Sequence, residues 1–196
     1  MRLTKPLVLA SRSPRRISLL KQIGMVAEIV PCDIDEEFDA GSTPADNASR
    51  LALLKARTVA GNIHDATVVG ADTIVAIDGQ MLGKPVDTDD ARRMLRLLSD
   101  RTHTVYTGIA LVDRPSDRFI TDVEETRVTF RSLPEDEIAE YVAGGSPMDK
   151  AGAYGIQDDY GAVFVTRIEG CFYNVVGFPL SMFYTHLKEF QVPTTR

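Results

Sequence analysis

The chain has few of the residues that staple, anchor or cross-link a protein. Only two of its 196 residues are cysteine, Cys32 and Cys171. They show no Cys-x-x-Cys spacing and no adjacent histidine pair, which argues against a zinc site or redox dithiol and leaves two ordinary thiols of a reducing cytosol. The three histidines, His64, His103 and His186, are too scattered for metal ligation or a triad, and His103 reads as an ordinary polar residue in or beside a strand. Neither a Gly-x-Ser-x-Gly elbow nor the Rossmann glycine pattern occurs, which argues against a serine hydrolase and a dinucleotide enzyme. No run approaches the ~18 apolar residues of a membrane helix. The apolar stretch Pro6 to Ala10 follows a basic start but is soon interrupted by Arg12, Arg15 and Arg16, too early for a signal-peptide core. A cytoplasmic protein with no membrane partner is expected. Positive charge is also short: 22 Lys and Arg against 28 Asp and Glu give a net charge of −6. That balance disfavours a broad nucleic-acid face, so any anionic ligand must be captured locally.

What remains is an ordinary globular composition, 44% apolar and 26% charged, in a chain long enough to bury most of its surface unaided. Leu7 to Ala10 reads as a buried strand, followed by a helix over about Arg15 to Ile23 with Ser13 as cap, Pro14 at its first position and Gly24 beyond its end. Val26 to Val30 suits a second strand, and Pro44 to Ala60 a helix whose Thr43 and Asp46 stand at capping-box spacing. Thr67 to Ile77 is the strongest strand signal, and Asp78-Gly79 favours a tight hairpin. Helices follow at about Asp89 to Leu98, from a capping box at Ser132 to Glu135 as far as Gly144-Gly145, and at about Pro179 to Phe190. Strands are expected over Thr104 to Val112, Phe119 to Phe130 and Ala162 to Val165. No repeat or linker divides this alternation, so residues 1–196 are expected to form a single α/β domain around a mixed sheet.

Four constellations could carry chemistry. Ser11-Arg12-Ser13-Pro14-Arg15-Arg16 sits between a strand and a helix, where free amides and guanidinium groups suit phosphate oxygens; a capped helix with solvated arginines reads equally well. Asp72 is the one carboxylate in the apolar run Val68 to Ile77, and such an aspartate is paired, hydrogen-bonded, metal-bound or a general base. Lys84, in Leu82-Gly83-Lys84-Pro85, is either an exposed turn residue or a phosphate-binding cation that the hairpin returns toward the level of Asp72. Asp149 to Gln157 contains two glycines that allow close backbone approach, and Gln157 offers an amide that both donates and accepts; a plain loop is the alternative. Glu36 for metal and Lys55 for phosphate are weaker candidates, since a solvated acidic turn and a solvated helix face explain them almost as well.

Taken in order, Leu9 to Arg16, Gly70-Ala71-Asp72-Thr73, Gly83-Lys84-Pro85, Thr102-His103 with Thr107-Gly108, Lys150 through Gln157, and Asn174 to Gly177 with Pro179-Leu180 resemble the blocks of the Maf family of nucleotide pyrophosphatases. The resemblance implies an elongated two-lobed fold around a mixed sheet with a central cleft, homodimers, and release of pyrophosphate dependent on Mg²⁺ or Mn²⁺. It implies that Asp72 is the proton acceptor and that Ser13, Arg16, Glu36, Lys55 and Lys84 contact substrate or metal, with Glu36 and Asp72 as the metal candidates. Arg15, Thr73 and Gln157 match positions tied to substrate choice and are similar to the branch acting on dTTP and UTP, with modified pyrimidine triphosphates as a further class. The branch acting on 7-methyl-GTP instead has Gly-Ser-Asp-Gln in place of Gly70 to Thr73. Two positions depart from the pattern: Asp158 stands where glycine usually follows the glutamine, and Asp100 where Ser-Gly usually precedes Arg101-Thr102. Rival readings are a pyrophosphatase for 7-methyl-GTP or aberrant purine triphosphates, and a nucleotide-binding regulator of cell division without turnover. The presence of both Asp72 and Lys84 favours an enzyme.

Overall fold

The computed structural model describes residues 3–157 and 160–191; Asp158 lies outside the described residues. In chain order the elements are β1 (Leu7–Leu9), α1 (Pro14–Gln22), β2 (Glu28–Ile29), α2 (Pro44–Ala60), β3 (Ala66–Ile77), β4 (Gln80–Leu82), α3 (Thr88–Leu98), β5 (Thr102–Arg114), β6 (Phe119–Phe130), α4 (Glu135–Ala143), β7 (Val165–Glu169), α5 (Phe172–Val176) and α6 (Leu180–Phe190). One seven-stranded sheet runs in the order β2-β1-β3-β5-β6-β7, with β4 also paired to β3. It is mixed: β1 is parallel to β2 and β3, whereas β3–β4 and β6–β7 are antiparallel. The fold class expected from the sequence, α/β with a mixed sheet and flanking helices, is the one observed.

The chain divides into two compact units. The first comprises residues 1–72, 107–124 and 177–196, and the second residues 73–106 and 125–176. Strands β3, β5 and β6 therefore contribute residues to both.

In the first unit, α2 is started by a complete capping box: the Thr43 hydroxyl accepts from the Asp46 amide, and the Asp46 carboxylate accepts from the Thr43 amide and hydroxyl. Its buried side carries Ala48, Ala52 and Ala56, each fully buried and one helical turn apart. These small residues let the helix backbone lie directly on glycines of two strands. A Cβ on Gly70 of β3 would stand 2.1 Å from the Ala52 carbonyl oxygen, and one on Gly108 of β5 would stand 2.3 Å from that of Ala48. Neither glycine can carry a side chain without displacing α2. Asp72 follows Gly70 by two residues, so both project from the same face of β3, the face that α2 covers.

The second unit is organised around aromatic rings. Phe130 meets His103, Tyr154 and Phe164 edge-on, and Tyr141 meets Phe164 in the same way. His103, 2% exposed, shares a 2.7 Å hydrogen bond between its Nε2 and the Tyr154 hydroxyl. Burial pulls its pKa down to about 3. The unfolded chain takes up this proton near pH 6.5, so the native state is favoured fully above that pH and loses the His103 contribution as pH falls toward 3. Each unit of pH in that window removes about 1.4 kcal/mol, or about 3 kcal/mol between neutrality and pH 4. His103→Gln keeps a hydrogen-bonding group but does not titrate. Denaturant melts of both proteins at pH 7, 5.5 and 4 should show the stability gap between wild type and variant closing as acid is added; a gap constant with pH would contradict the assignment.

Three details depart from the sequence reading. The Ser132 capping box does not form: α4 starts after Pro134, without a side-chain cap. Arg131 and Leu133 instead donate their amides to the Phe164 carbonyl and the Ser99 hydroxyl, and a residue preceding proline is biased away from helical geometry. The strand expected at Ala162 to Val165 begins only at Val165, because Tyr160–Phe164 closes into 3₁₀ turns and pairing with β6 runs through Val165 to Glu169. The second strand is shorter than Val26 to Val30, only Glu28–Ile29 being paired with β1. By contrast the Asp78-Gly79 turn is as expected, with Ile77 opposite Gln80 and φ of 50° and 75° at its two residues. Asp100 adopts φ 58°, a left-handed conformation that aspartate tolerates better than most side chains, which explains why it can stand where glycine is usual.

Candidate functional site

Within the first unit the structure brings two of the sequence candidates, Glu36 and Asp72, onto the ammonium of a third, Lys55, with Arg16 coupled electrostatically to both carboxylates. Lys55 leaves α2 5% exposed, and its Nζ lies 2.5 Å from Asp72 Oδ1 and 2.6 Å from Glu36 Oε1. The solvated helix face that the sequence allowed for Lys55 is thus excluded. Asp72 is 6% exposed on β3, and burial pushes its carboxyl above the usual carboxylate range despite the opposing pull of Lys55 and Arg16. Arg16 is also buried, and burial draws its guanidinium below its ordinary value while Asp72 and Glu36 oppose that shift. A lone buried ion pair is poor value as a stabilising device, because desolvation offsets most of the Coulomb gain. Two carboxylates and two cations concentrated midway along an apolar strand point to chemistry instead.

The rest of the segment from Ser11 to Arg16 stands around Arg16. The Arg16 Nε donates to the Gly177 carbonyl at 2.9 Å and its Nη1 donates to the Ser11 hydroxyl at 3.3 Å, which fixes the guanidinium plane. Ser13 occupies the cap position of α1, yet its hydroxyl makes no capping bond; the Ser11 hydroxyl instead accepts from the Ser13 amide. Arg15, half-buried, follows in the first turn. A helix start with no acidic residue in its first turn and two arginines beside it favours phosphate oxygens.

The loop that carries Glu36 is held by a residue that the sequence reading missed. Asn47, fully buried on α2, donates to the Asp39 carbonyl at 2.9 Å and accepts from the Asp39 amide at 2.8 Å. Arg50, one turn on, donates to the Glu37 carbonyl at 2.7 Å. Together they tie the loop carrying Glu36 to the helix carrying Lys55. The sequence signal was an asparagine one turn before Leu51 on the side of α2 that is buried, whereas Leu54, expected on the same side, is exposed. Gly177, which orients Arg16 from 161 residues away, left no such signal.

The second unit holds Thr73, Lys84 and Gln157. Lys84 is exposed two residues beyond β4, and Gln157 is half-buried. The Gly152 amide donates to the Gly83 carbonyl at 3.0 Å, which joins the turn carrying Lys84 to the segment leading to Gln157. Gly152 has φ 69°, and an added Cβ would meet the Val75 side chain at 2.9 Å, so only glycine fits that junction. Tyr154, pinned by His103, anchors the same segment three residues before Gln157.

Among the described residues no group of three or more His, Cys, Asp and Glu side chains forms a ready-made metal cage. Glu36 and Asp72 nevertheless converge on a single cationic position. Two hard carboxylate donors suit Mg²⁺ or Mn²⁺, ions that keep several waters and take further ligands from substrate phosphates. The donor set therefore fits a divalent cation.

Among the described residues no helix is long and apolar enough to cross a membrane. The Maf-like protein family matches residues 6–190. A dTTP/UTP pyrophosphatase of Pelotomaculum thermopropionicum is 50% identical over 186 residues, covering 95% of this chain and 97% of that protein. Proteins of the same name from Bacillus cereus and Salinibacter ruber are 47% and 50% identical, covering 97% and 96% of this chain and 93% and 92% of their own lengths.

Proposed function

The chain belongs to the Maf family, and from that premise we propose that it hydrolyses dTTP and UTP to the nucleoside monophosphate and pyrophosphate. Relatives of that name at 46–50% identity support the choice of substrate. The observation that carries the reaction is the convergence of the buried Asp72, Lys55 and Arg16 with the exposed Glu36 in one cluster.

In this reading a water attacks the α-phosphorus, its proton passes to Asp72, and the bond from the α-phosphorus to the bridging oxygen breaks as pyrophosphate leaves. A base whose proton affinity is raised by burial is better matched to neutral pH than an ordinary carboxylate. Arg16, Lys55 and Lys84 neutralise charge gathering on the phosphate oxygens, with Ser13 and Arg15 binding the same groups at the start of α1. Thr73 and Gln157 contribute to substrate choice. Glu36 and Asp72 would hold the divalent cation, Mg²⁺ or Mn²⁺, which when bound supplies charge neutralisation and a more acidic water. The same reading takes the enzyme to be a cytoplasmic homodimer, as the family resemblance implies.

An end-point screen of nucleotides with Mg²⁺ or Mn²⁺, resolved by chromatography, tests the reaction class. Monophosphate and pyrophosphate in equal amounts from dTTP and UTP are expected. Orthophosphate as the first product would exclude attack at the α-phosphorus, and binding with no turnover would favour a regulator.

A further inference from the structure

Lys55 occupies the place where a cation between Glu36 and Asp72 would sit. Its ammonium is a compact point charge with three donors, and both carboxylates lie within 2.6 Å of it. The two carboxylates are already matched in charge by Lys55 and Arg16, and Asp72 and Lys55 are both buried, where an uncompensated charge is costly. Adding a doubly charged ion to this cluster alone would leave excess positive charge in a poorly solvated place. A triphosphate brings several negative charges with it, and Lys55, on a flexible four-carbon stem, can turn from the carboxylates to phosphate oxygens.

We infer that Lys55 serves as a resident counter-cation for Glu36 and Asp72, so that the protein admits a divalent metal together with its triphosphate and binds the free ion poorly. This rests on the nucleotide pyrophosphatase reading. It makes Lys55 more than a phosphate ligand, because the same ammonium sets the order in which charge enters the site. It also makes a specific demand: removing the ammonium while keeping both carboxylates creates a site for the free ion.

Mn²⁺ binding, followed without nucleotide by loss of the free-ion paramagnetic resonance signal, provides the test. Lys55→Met should bind Mn²⁺ at least about tenfold more tightly than wild type. Lys55→Gln, which keeps a hydrogen-bond donor for the carboxylates, should do the same and serves if the methionine variant does not fold, as judged by circular dichroism. The double variant Glu36→Gln/Lys55→Met restores the charge balance and should bind no more tightly than wild type. Equal affinity in wild type and the Lys55 variants overturns the inference, as does a double variant that retains the gain. Wild-type protein from the same preparation is assayed on dTTP with Mn²⁺. Pyrophosphate release alongside equal affinities overturns this inference alone, whereas no turnover on any nucleotide removes the functional reading beneath it.

Discussion

Asp72→Asn should fold, bind nucleotide and lose about 10² or more in kcat, with KM little changed. The asparagine fills the same volume on β3, and its side-chain oxygen can still accept from Lys55, so the 2.5 Å contact has a successor. What disappears is the ability to take a proton. Loss of a positioned general base typically costs 10²–10⁴ in rate, and a hundredfold corresponds to about 2.7 kcal/mol of transition-state stabilisation. Folding should survive with some loss of stability. The neutral amide escapes the desolvation penalty of Asp72 and Lys55 keeps its contact with Glu36, but the buried Lys55 and Arg16 are left with one carboxylate between them. The measurement is steady-state turnover of dTTP by wild type and variant at saturating Mg²⁺, with thermal melting of both. Turnover within a few-fold of wild type would remove Asp72 from the role of base, and a large fall in KM would instead point to ground-state strain.

How much of this site could be read from the chain depends on whether a residue's role is local. Asp72 stood out because a single carboxylate in a strand as apolar as Val68 to Ile77 must have a partner or a task. The hairpin at Asp78-Gly79 and the cap of α2 were legible for the same reason: each needs two or four neighbouring residues and nothing else. Lys55 was ambiguous, since a lysine on a helix is usually solvated; what buries it is the seating of α2 on Gly70 and Gly108, a contact between segments far apart in sequence. The orientation of Arg16 by Gly177 and of the Glu36 loop by Asn47 are likewise products of tertiary packing. The misplaced starts of α4 and β7 have the same origin, because hydrogen bonds to Phe164, Ser99 and β6 overrode a capping motif and a run of apolar residues. Local chemistry therefore singled out candidate groups, while long-range contacts supplied the geometry that brings them into one cluster.

The same division bears on Gln157, whose proposed role is to read the base. Uracil and thymine present one hydrogen-bonding edge, acceptor, donor, acceptor, and a glutamine amide complements part of it with both a donor and an acceptor. The segment that carries it is fixed at two points within its own unit, at Tyr154 by His103 and at Gly152 by the Gly83 carbonyl, so the amide is presented from an ordered backbone. Gln157→Glu removes the donor and sets a negative charge against a carbonyl of the base. A site built to pair with polar edges pays heavily when a group is left unpaired or opposed, so kcat/KM for dTTP and UTP should fall by about 10². Purine triphosphates use the same phosphate-binding groups but not this edge, and their weaker turnover should change by less than about threefold, a loss within the range of ordinary surface effects. Measuring kcat/KM for dTTP, UTP, CTP, ATP, GTP and 7-methyl-GTP with both proteins separates the contributions. A wild-type preference for any purine would sink the pyrimidine assignment. An equal proportional loss on every substrate would show that Gln157 acts on the phosphates or the fold, leaving the base to be read elsewhere.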